Sequence, residues 1–319
     1  FPAVARHASK ALVLVQSAMD QCPADARGQL IHRLQRKQSQ LSCVIRLALG
    51  IRVQTHFHGS NTMTGGFWQP GERRAFEIEV DTRLARTMGS CTVQASIRTD
   101  TPWSIVDDSL VLDPNASASN PYPDTWLPAQ PAGPCIELGI TFNSVFSTSL
   151  LPLDEPPVVL PDTRAVLSPE QVLINTRLPQ TSLDITVRKS VPESATSELV
   201  LPDGWQLARI EDGWRMTPAP SLPEGLHELP LMLNGQPAMQ VQTIDYPHVD
   251  ARAISKPCRV SIRAMSIELP DVRVGYAGGG NDDVAHWLRT MGLPVSDITE
   301  EDLETADSLT RWLSGIDTL

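Results

Sequence analysis

Gly50-Ile51-Arg52-Val53-Gln54-Thr55-His56-Phe57-His58 is where the sequence changes period. Upstream of it, apolar residues recur every three or four positions. From Ile51 they alternate, with Ile51, Val53, Thr55 and Phe57 on one side of an extended chain. The alternation returns at Phe76, Ile78 and Val80, at Cys91, Val93, Ala95 and Ile97, and at Ile136, Leu138, Ile140 and Phe142. Between these runs stand Trp68-Gln69-Pro70-Gly71-Glu72, Asp113-Pro114-Asn115 and Ala132-Gly133-Pro134, all turn chemistry. Short alternating strands joined in this way predict an antiparallel β-sandwich over 51–150 with one wet face. The proline-rich stretch 115–134 has little periodicity and reads as one long loop, a common place for function.

Residues 1–50 read as a helical hairpin. Val4, Ala8, Leu12, Val15 and Met19 share a face of the first helix. Cys22-Pro23-Ala24-Asp25 interrupts it, and Asp25 suits the positive end of a new helix. The second helix sets Leu30, Ile31, Leu34, Leu41, Val44, Ile45 and Ala48 against Arg33, Arg36 and Lys37, and Gly50 is its expected stop. Two helices cannot bury a sufficient core, so the hairpin is expected to dock. It either packs on the first sandwich or leaves a contiguous apolar patch.

Downstream of the first sandwich, residues 151–157 (Leu-Pro-Leu-Asp-Glu-Pro-Pro) read as a stiff linker. A second Ig-like β-sandwich is expected over 158–250, with Leu183, Ile185 and Val187 alternating. The segment 258–319 reads as the incomplete start of an α/β unit. Its strand Val272-Arg273-Val274-Gly275-Tyr276 leads through Gly278-Gly279-Gly280-Asn281-Asp282-Asp283 to a helix with Val284, Trp287, Leu288 and Met291. The expected fold is therefore mainly β: a helical hairpin, two Ig-like sandwiches and the opening of an α/β domain. Since its continuation is missing from that reading, 271–319 is expected to exchange amide protons faster than 160–250.

Length and charge narrow the function classes. The 319 residues call for two or three domains, and 27 prolines argue against a long helical bundle. The formal net charge of −11 disfavours a nucleic-acid partner, no apolar run approaches the roughly 18 residues of a membrane span, and the opening residues lack a signal-peptide layout. The charge is polarised. Residues 1–60 hold eight Lys or Arg and two acids, whereas 271–319 hold three basic and ten acidic residues. The five cysteines, Cys22, Cys43, Cys91, Cys135 and Cys258, form no CxxC pattern and read mostly as small buried hydrophobes, with one or two disulfides left open.

Few residues offer chemistry. His56 and His58 share a strand face about 6–7 Å apart and could be half of a metal site. The glycine loop before Asn281 and Asp282 has the outline of an anion cradle, although the two aspartates oppose a phosphate and a plain turn is the simpler reading. Trp68, Trp103, Trp126, Trp205 and Trp214 could stack on sugars; such residues usually serve as sandwich core, and Trp126, in the long loop, is the better surface candidate. The ligand-binding candidates are Trp68, Trp126, Asn281 and Asp282. No catalytic motif is present.

One resemblance runs along nearly the whole chain. Leu47-Ala48-Leu49-Gly50-Ile51, Gln69-Pro70-Gly71-Glu72 and Leu201-Pro202-Asp203-Gly204-Trp205 occur in that order. They are followed by Ile244-Asp245-Tyr246-Pro247-His248-Val249, Arg273-Val274-Gly275-Tyr276, Leu288-Arg289-Thr290-Met291-Gly292 and Glu301-Asp302-Leu303. This succession resembles the downstream, non-catalytic part of large bacterial PIG-L (LmbE-like) deacetylases, relatives of the GlcNAc-phosphatidylinositol de-N-acetylases. The resemblance implies a zinc-dependent deacetylase domain preceding a helical connector, Ig-like sandwiches and a glutamine-amidotransferase-like α/β domain. The family's His-Pro-Asp-Asp motif is absent, and His248 precedes Val249-Asp250. No catalytic residue or cofactor is therefore carried onto this chain, and zinc would belong to the missing domain. The implied partner is that deacetylase domain, docked on 1–50, in an extracytoplasmic setting. The alternative function is a free-standing module that binds carbohydrate or protein.

Overall fold

The computed structural model describes residues 1–58, 66–120, 133–179, 181–246, 248–278 and 282–318. The chain divides into two compact units, 1–161 with 242–254 and 162–241 with 255–319.

The first unit opens with α1 (Pro2–Asp20) and α2 (Ala24–Ala48). Gly50 ends α2 at φ +66°, and the paired bonds Ile51 N to Arg46 O (3.1 Å) and Gly50 N to Leu47 O (3.0 Å) satisfy two carbonyls of the last turn. The strands are β1 (Arg52–His58), β2 (Phe67–Trp68), β3 (Arg73–Asp81), then, after the short α3 (Arg83–Arg86), β4 (Cys91–Arg98), β5 (Trp103–Val106), β6 (Ser109–Leu112), β7 (Cys135–Phe142), β8 (Val145–Pro152) and β9 (Val158–Val159). One sheet runs β1-β3-β6-β5 and another β4-β7-β8, with antiparallel pairing in both. Their inner faces meet: Ile97, Ile136 and Leu153 pack against Val53, Phe57, Phe76 and Ile78.

The hairpin is part of this core. Ala5, Ala8 and Leu12 of α1 and Ile45 and Ala48 of α2 cluster with Leu138, Ile140 and Phe142 of β7. The inward stripe of α1 is Ala5-Ala8-Ser9-Leu12, not one led by Val4, which is 45 % exposed. The small residues let the helix approach closely; a valine at that point would hold it away.

Residues 151–157, expected to be a stiff linker, are built into the same unit. Leu151 and Pro152 continue the ladder with β7, and Leu153 is buried. Asp154 accepts from the Thr55 backbone (2.5 Å) and hydroxyl (3.1 Å), while its own N–H donates back to that hydroxyl (3.2 Å). Val158 and Val159, expected to open the second sandwich, instead pair in parallel with Phe67 and Trp68. Proline density suggested stiffness, but the apolar residues between the prolines drive burial here.

The second unit contains β10 (Arg164–Ser168), β11 (Gln171–Asn175), β12 (Leu183–Val191), β13 (Ser197–Leu199), β14 (Gln206–Ile210), β15 (Gly213–Thr217), β16 (Gly225–Leu233), β17 (Gln236–Pro237) and β20 (Arg259–Met265), while the pair β18 (Met239–Tyr246) and β19 (Val249–Pro257) begins and ends in it and has its middle, 242–254, in the first unit. The run β14-β15-β12-β10 faces β11-β20-β16-β13 across a core of Ile185, Trp214, Met216, Leu229, Leu231, Val260 and Ile262. This is the ABED-on-CFG strand order of an Ig-like sandwich, with the first strand shared between sheets at Ser168-Pro169. Strand β20 closes it, so the sandwich extends past the expected limit at 250 and takes residues assigned to the α/β unit. The β18–β19 excursion lies between the last two strands of the fold, which is why sequence spacing hid the final one.

Beyond it lie β21 (Val274–Tyr276), α4 (Val284–Met291), β22 (Val295–Asp297), α5 (Glu300–Leu303) and α6 (Ala306–Leu313). β21 pairs in parallel with β22 and bridges Thr318 on its other side. Buried Asn175 ties this segment to the sandwich. Its Nδ2 donates to the carbonyls of Ile267 and Met291 (both 3.0 Å), and its Oδ1 accepts from Ile267 and Arg177 N–H (both 3.1 Å).

Candidate functional site

The first unit carries a groove of about 420 Å³ between α1 and the β7–β8 turn. Leu12-Val13-Leu14-Val15 is an unbroken apolar run on a helix, and at 100° per residue such a run cannot all face one way. Leu12 takes the core and is fully buried. Val13 and Leu14 are left outside at 47 % and 71 % exposure. One and two turns N-terminal to them, on the same face, stand Lys10 and Arg6.

The opposite wall comes from the sheet. Phe142 and Val145 face each other across the last rung of the β7–β8 ladder. The two-residue turn between them, Asn143-Ser144, has φ of 47° and 68°, the left-handed pair that matches strand twist in a tight hairpin. Asn143 N–H donates to Ser90 O at 3.0 Å and fixes the turn at the groove's end. The floor is thus apolar and the rim basic. No carboxylate lines the groove, and its one hydroxyl, on Ser9, already donates to Ala5 O at 2.9 Å. Such a surface can bury apolar groups and attract anions.

The residues singled out in sequence do not converge on it. Trp68 is fully buried, edge-on to Phe57 and Trp103 with centroids 5.5 and 5.0 Å away. The Arg74 guanidinium covers it at 4.2 Å and pairs with Glu72 at 2.8 Å. Trp68 therefore offers no face to a sugar, which corrects that expectation. Trp103 and Trp214 are buried as well, and Trp205 is half-buried beside His227. Trp126 and Asn281 lie outside the described residues.

Asp282 is exposed and accepts from the Tyr276 hydroxyl (2.5 Å) and Val284 N–H (3.1 Å). The Tyr276 bond, then the Val284 bond, hold its carboxyl below the ordinary range. That is an Asx turn just ahead of α4, whose N-cap is Asp283, and its carboxylate repels an anion. His56 and His58 point outward from β1, with His58 Nε2 3.8 Å from Glu77 Oε2. No group of three His, Cys, Asp or Glu side chains comes together among the described residues. All five cysteines are free, with Cys135 and Cys258 buried.

Sequence reasoning passed over Val13, Leu14, Phe142 and Val145. The signal was present in the four-residue apolar run of α1, which supplies more than one face.

No family model and no curated protein matches the chain. Among solved structures, it is similar to SGBP-B of the Bacteroides ovatus mixed-linkage glucan utilization locus, in complex with a mixed-linkage heptasaccharide, at 6 % identity and TM-score 0.20; the alignment covers 65 % of this chain and 44 % of that one. Zebrafish RET cadherin-like domains 1 to 4 align at 10 % identity and TM-score 0.22 over 68 % and 51 % of the two chains. Human protocadherin-24 EC1-2 aligns at 10 % and 0.18 over 67 % and 98 %. The chain thus spans less than half of the glucan-locus protein, and at these scores the fold assignment rests on its own strand order.

Proposed function

We propose that this chain is a non-catalytic protein-interaction module: β-sandwich units that hold a helical hairpin in a fixed pose and present it to a partner. The observation that carries the reading is the apolar groove on α1, where Val13 and Leu14 remain exposed on a helix whose other face is locked into the sandwich core. Exposed large apolar side chains beside a rigid wall mark interaction sites. Burial of Trp68, Trp103 and Trp214 removes three of the candidate stacking platforms for a carbohydrate. No described helix is long and apolar enough to cross a membrane.

The resemblance to the downstream region of PIG-L deacetylases supplies a definite partner, since that reading docks the zinc-dependent domain on 1–50, the segment that carries the groove. The test is to titrate the chain with an isolated PIG-L-type deacetylase domain and, separately, with mixed-linkage glucan oligosaccharides. The expected result is a complex with the domain that Leu14→Asp abolishes. Glycan binding that is indifferent to Leu14→Asp, with no complex, would overturn the reading.

A further inference from the structure

The chemistry of the groove also specifies the form of its partner, an inference that rests on the docking reading above. We infer that the groove seats a single amphipathic helix whose apolar ridge is flanked by Asp or Glu, with Arg6 and Lys10 fixing its register.

Three observations lead there. First, the walls are a helix and a tight hairpin, and the apolar lining runs from exposed Val13 and Leu14 on the helix, past Val145, to Phe142 at the bottom, only 1 % exposed. A trough of that kind takes the ridge of a helix, read as side chains at i, i+3, i+4 and i+7. Second, the polar groups Arg6, Lys10 and Asn143 stand around the apolar lining, and the Ser9 hydroxyl already donates to Ala5 O, so the lining itself favours an apolar ridge over a small polar ligand.

Third, the charge is complementary to an acidic segment. Arg6 and Lys10 are one helical turn apart on the rim, both exposed, and neither has a carboxylate partner among the described residues; Arg6 spends its Nε–H on the Pro2 carbonyl at 3.4 Å. Cβ atoms at that spacing lie about 5–6 Å apart, the same separation as two carboxylates at i and i+4 on a facing helix. No acidic residue occurs on α1 before Asp20, so nothing on that helix competes. A phospholipid surface is flat and would reach Leu14 without filling the recess. A nucleic acid would meet the rim and leave the floor empty.

The test uses the full chain and two labelled synthetic peptides of about 18 residues, long enough to hold helix when seated. One carries Leu at i, i+3, i+4 and i+7 with flanking Glu; the other replaces each Glu by Lys. Fluorescence anisotropy should show the Glu peptide binding, weakened about tenfold or more by Leu14→Asp and by the double change Arg6→Glu with Lys10→Glu. The double variant should bind the Lys peptide instead, a gain that misfolding cannot produce. Circular dichroism checks that each variant keeps its fold, which is expected because all three side chains are exposed.

Equal affinity for both peptides, or no reversal in the double variant, would overturn the inference. So would displacement of the Glu peptide by phosphatidylglycerol vesicles or by a short DNA duplex at lower concentration. If neither peptide binds while Leu14→Asp still breaks the complex with a deacetylase domain, the helical partner is wrong and the docking reading stands. If that complex is also absent, both fall.

Discussion

At the scale of single residues, burial decides most outcomes. Arg74 has a side chain only 3 % exposed, between Glu72, the Phe67 carbonyl and the face of Trp68. Removing one partner of such a pair leaves the other charged and dry, so Arg74→Ala should cost about 3–5 kcal/mol in chemical denaturation. Glu72→Gln, which keeps an acceptor for the Gln69 N–H now bonded at 2.8 Å, should cost less. Gly50 carries φ +66°, and a Cβ there would lie 2.6 Å from Leu84 Cδ2. Gly50→Ala should therefore destabilise by about 1–2 kcal/mol, and a loss below a few tenths would show that the left-handed stop is unimportant. Cys258 is 1 % exposed, and burial pushes its thiol up to about 11. A thiol held protonated in the fold but free to ionise when unfolded makes stability fall as pH rises from the ordinary cysteine value toward 11. Cys258→Ala should flatten that alkaline slope, which thermal melts at several pH values would detect.

At the scale of elements, the helix and strand periods were readable while their partners were not. The switch at Gly50-Ile51, the strands β1, β3, β4 and β7, and the α4 helix all follow from spacing. Three features escaped because they depend on residues distant in sequence. Asp154 reaches Thr55, β9 pairs with β2, and β20 joins the second sandwich only after the β18–β19 excursion. The candidate groove is half legible: the Leu12–Val15 run shows that α1 has apolar residues on more than one face, but Phe142 and Val145 become a wall only through their tight turn. Because α1 and β7 share one core, Leu12→Ala should cost about 2–5 kcal/mol and lower the unfolding midpoint of the first sandwich with the hairpin, not melt the hairpin alone. Asn175→Asp replaces two donated bonds with a carboxylate facing two carbonyls. Amide exchange should then rise across 267–297 while 183–217 stays protected; equal change in both would mean that the clamp is not local.

At the scale of the whole molecule, two β-rich units are joined to opposite charges: eight basic residues against two acids in 1–60, three against ten in 271–319. The proposed contact runs through the basic segment, by way of a helix fixed on a sandwich. Hydrogen-exchange mass spectrometry of the chain, free and bound to a PIG-L-type deacetylase domain, tests this most directly. Slower exchange on binding is expected in α1 (Pro2–Asp20) and around the β7–β8 turn, with no change over β12 and β15. Protection confined to the second sandwich, with α1 unchanged in a saturated complex, would contradict it.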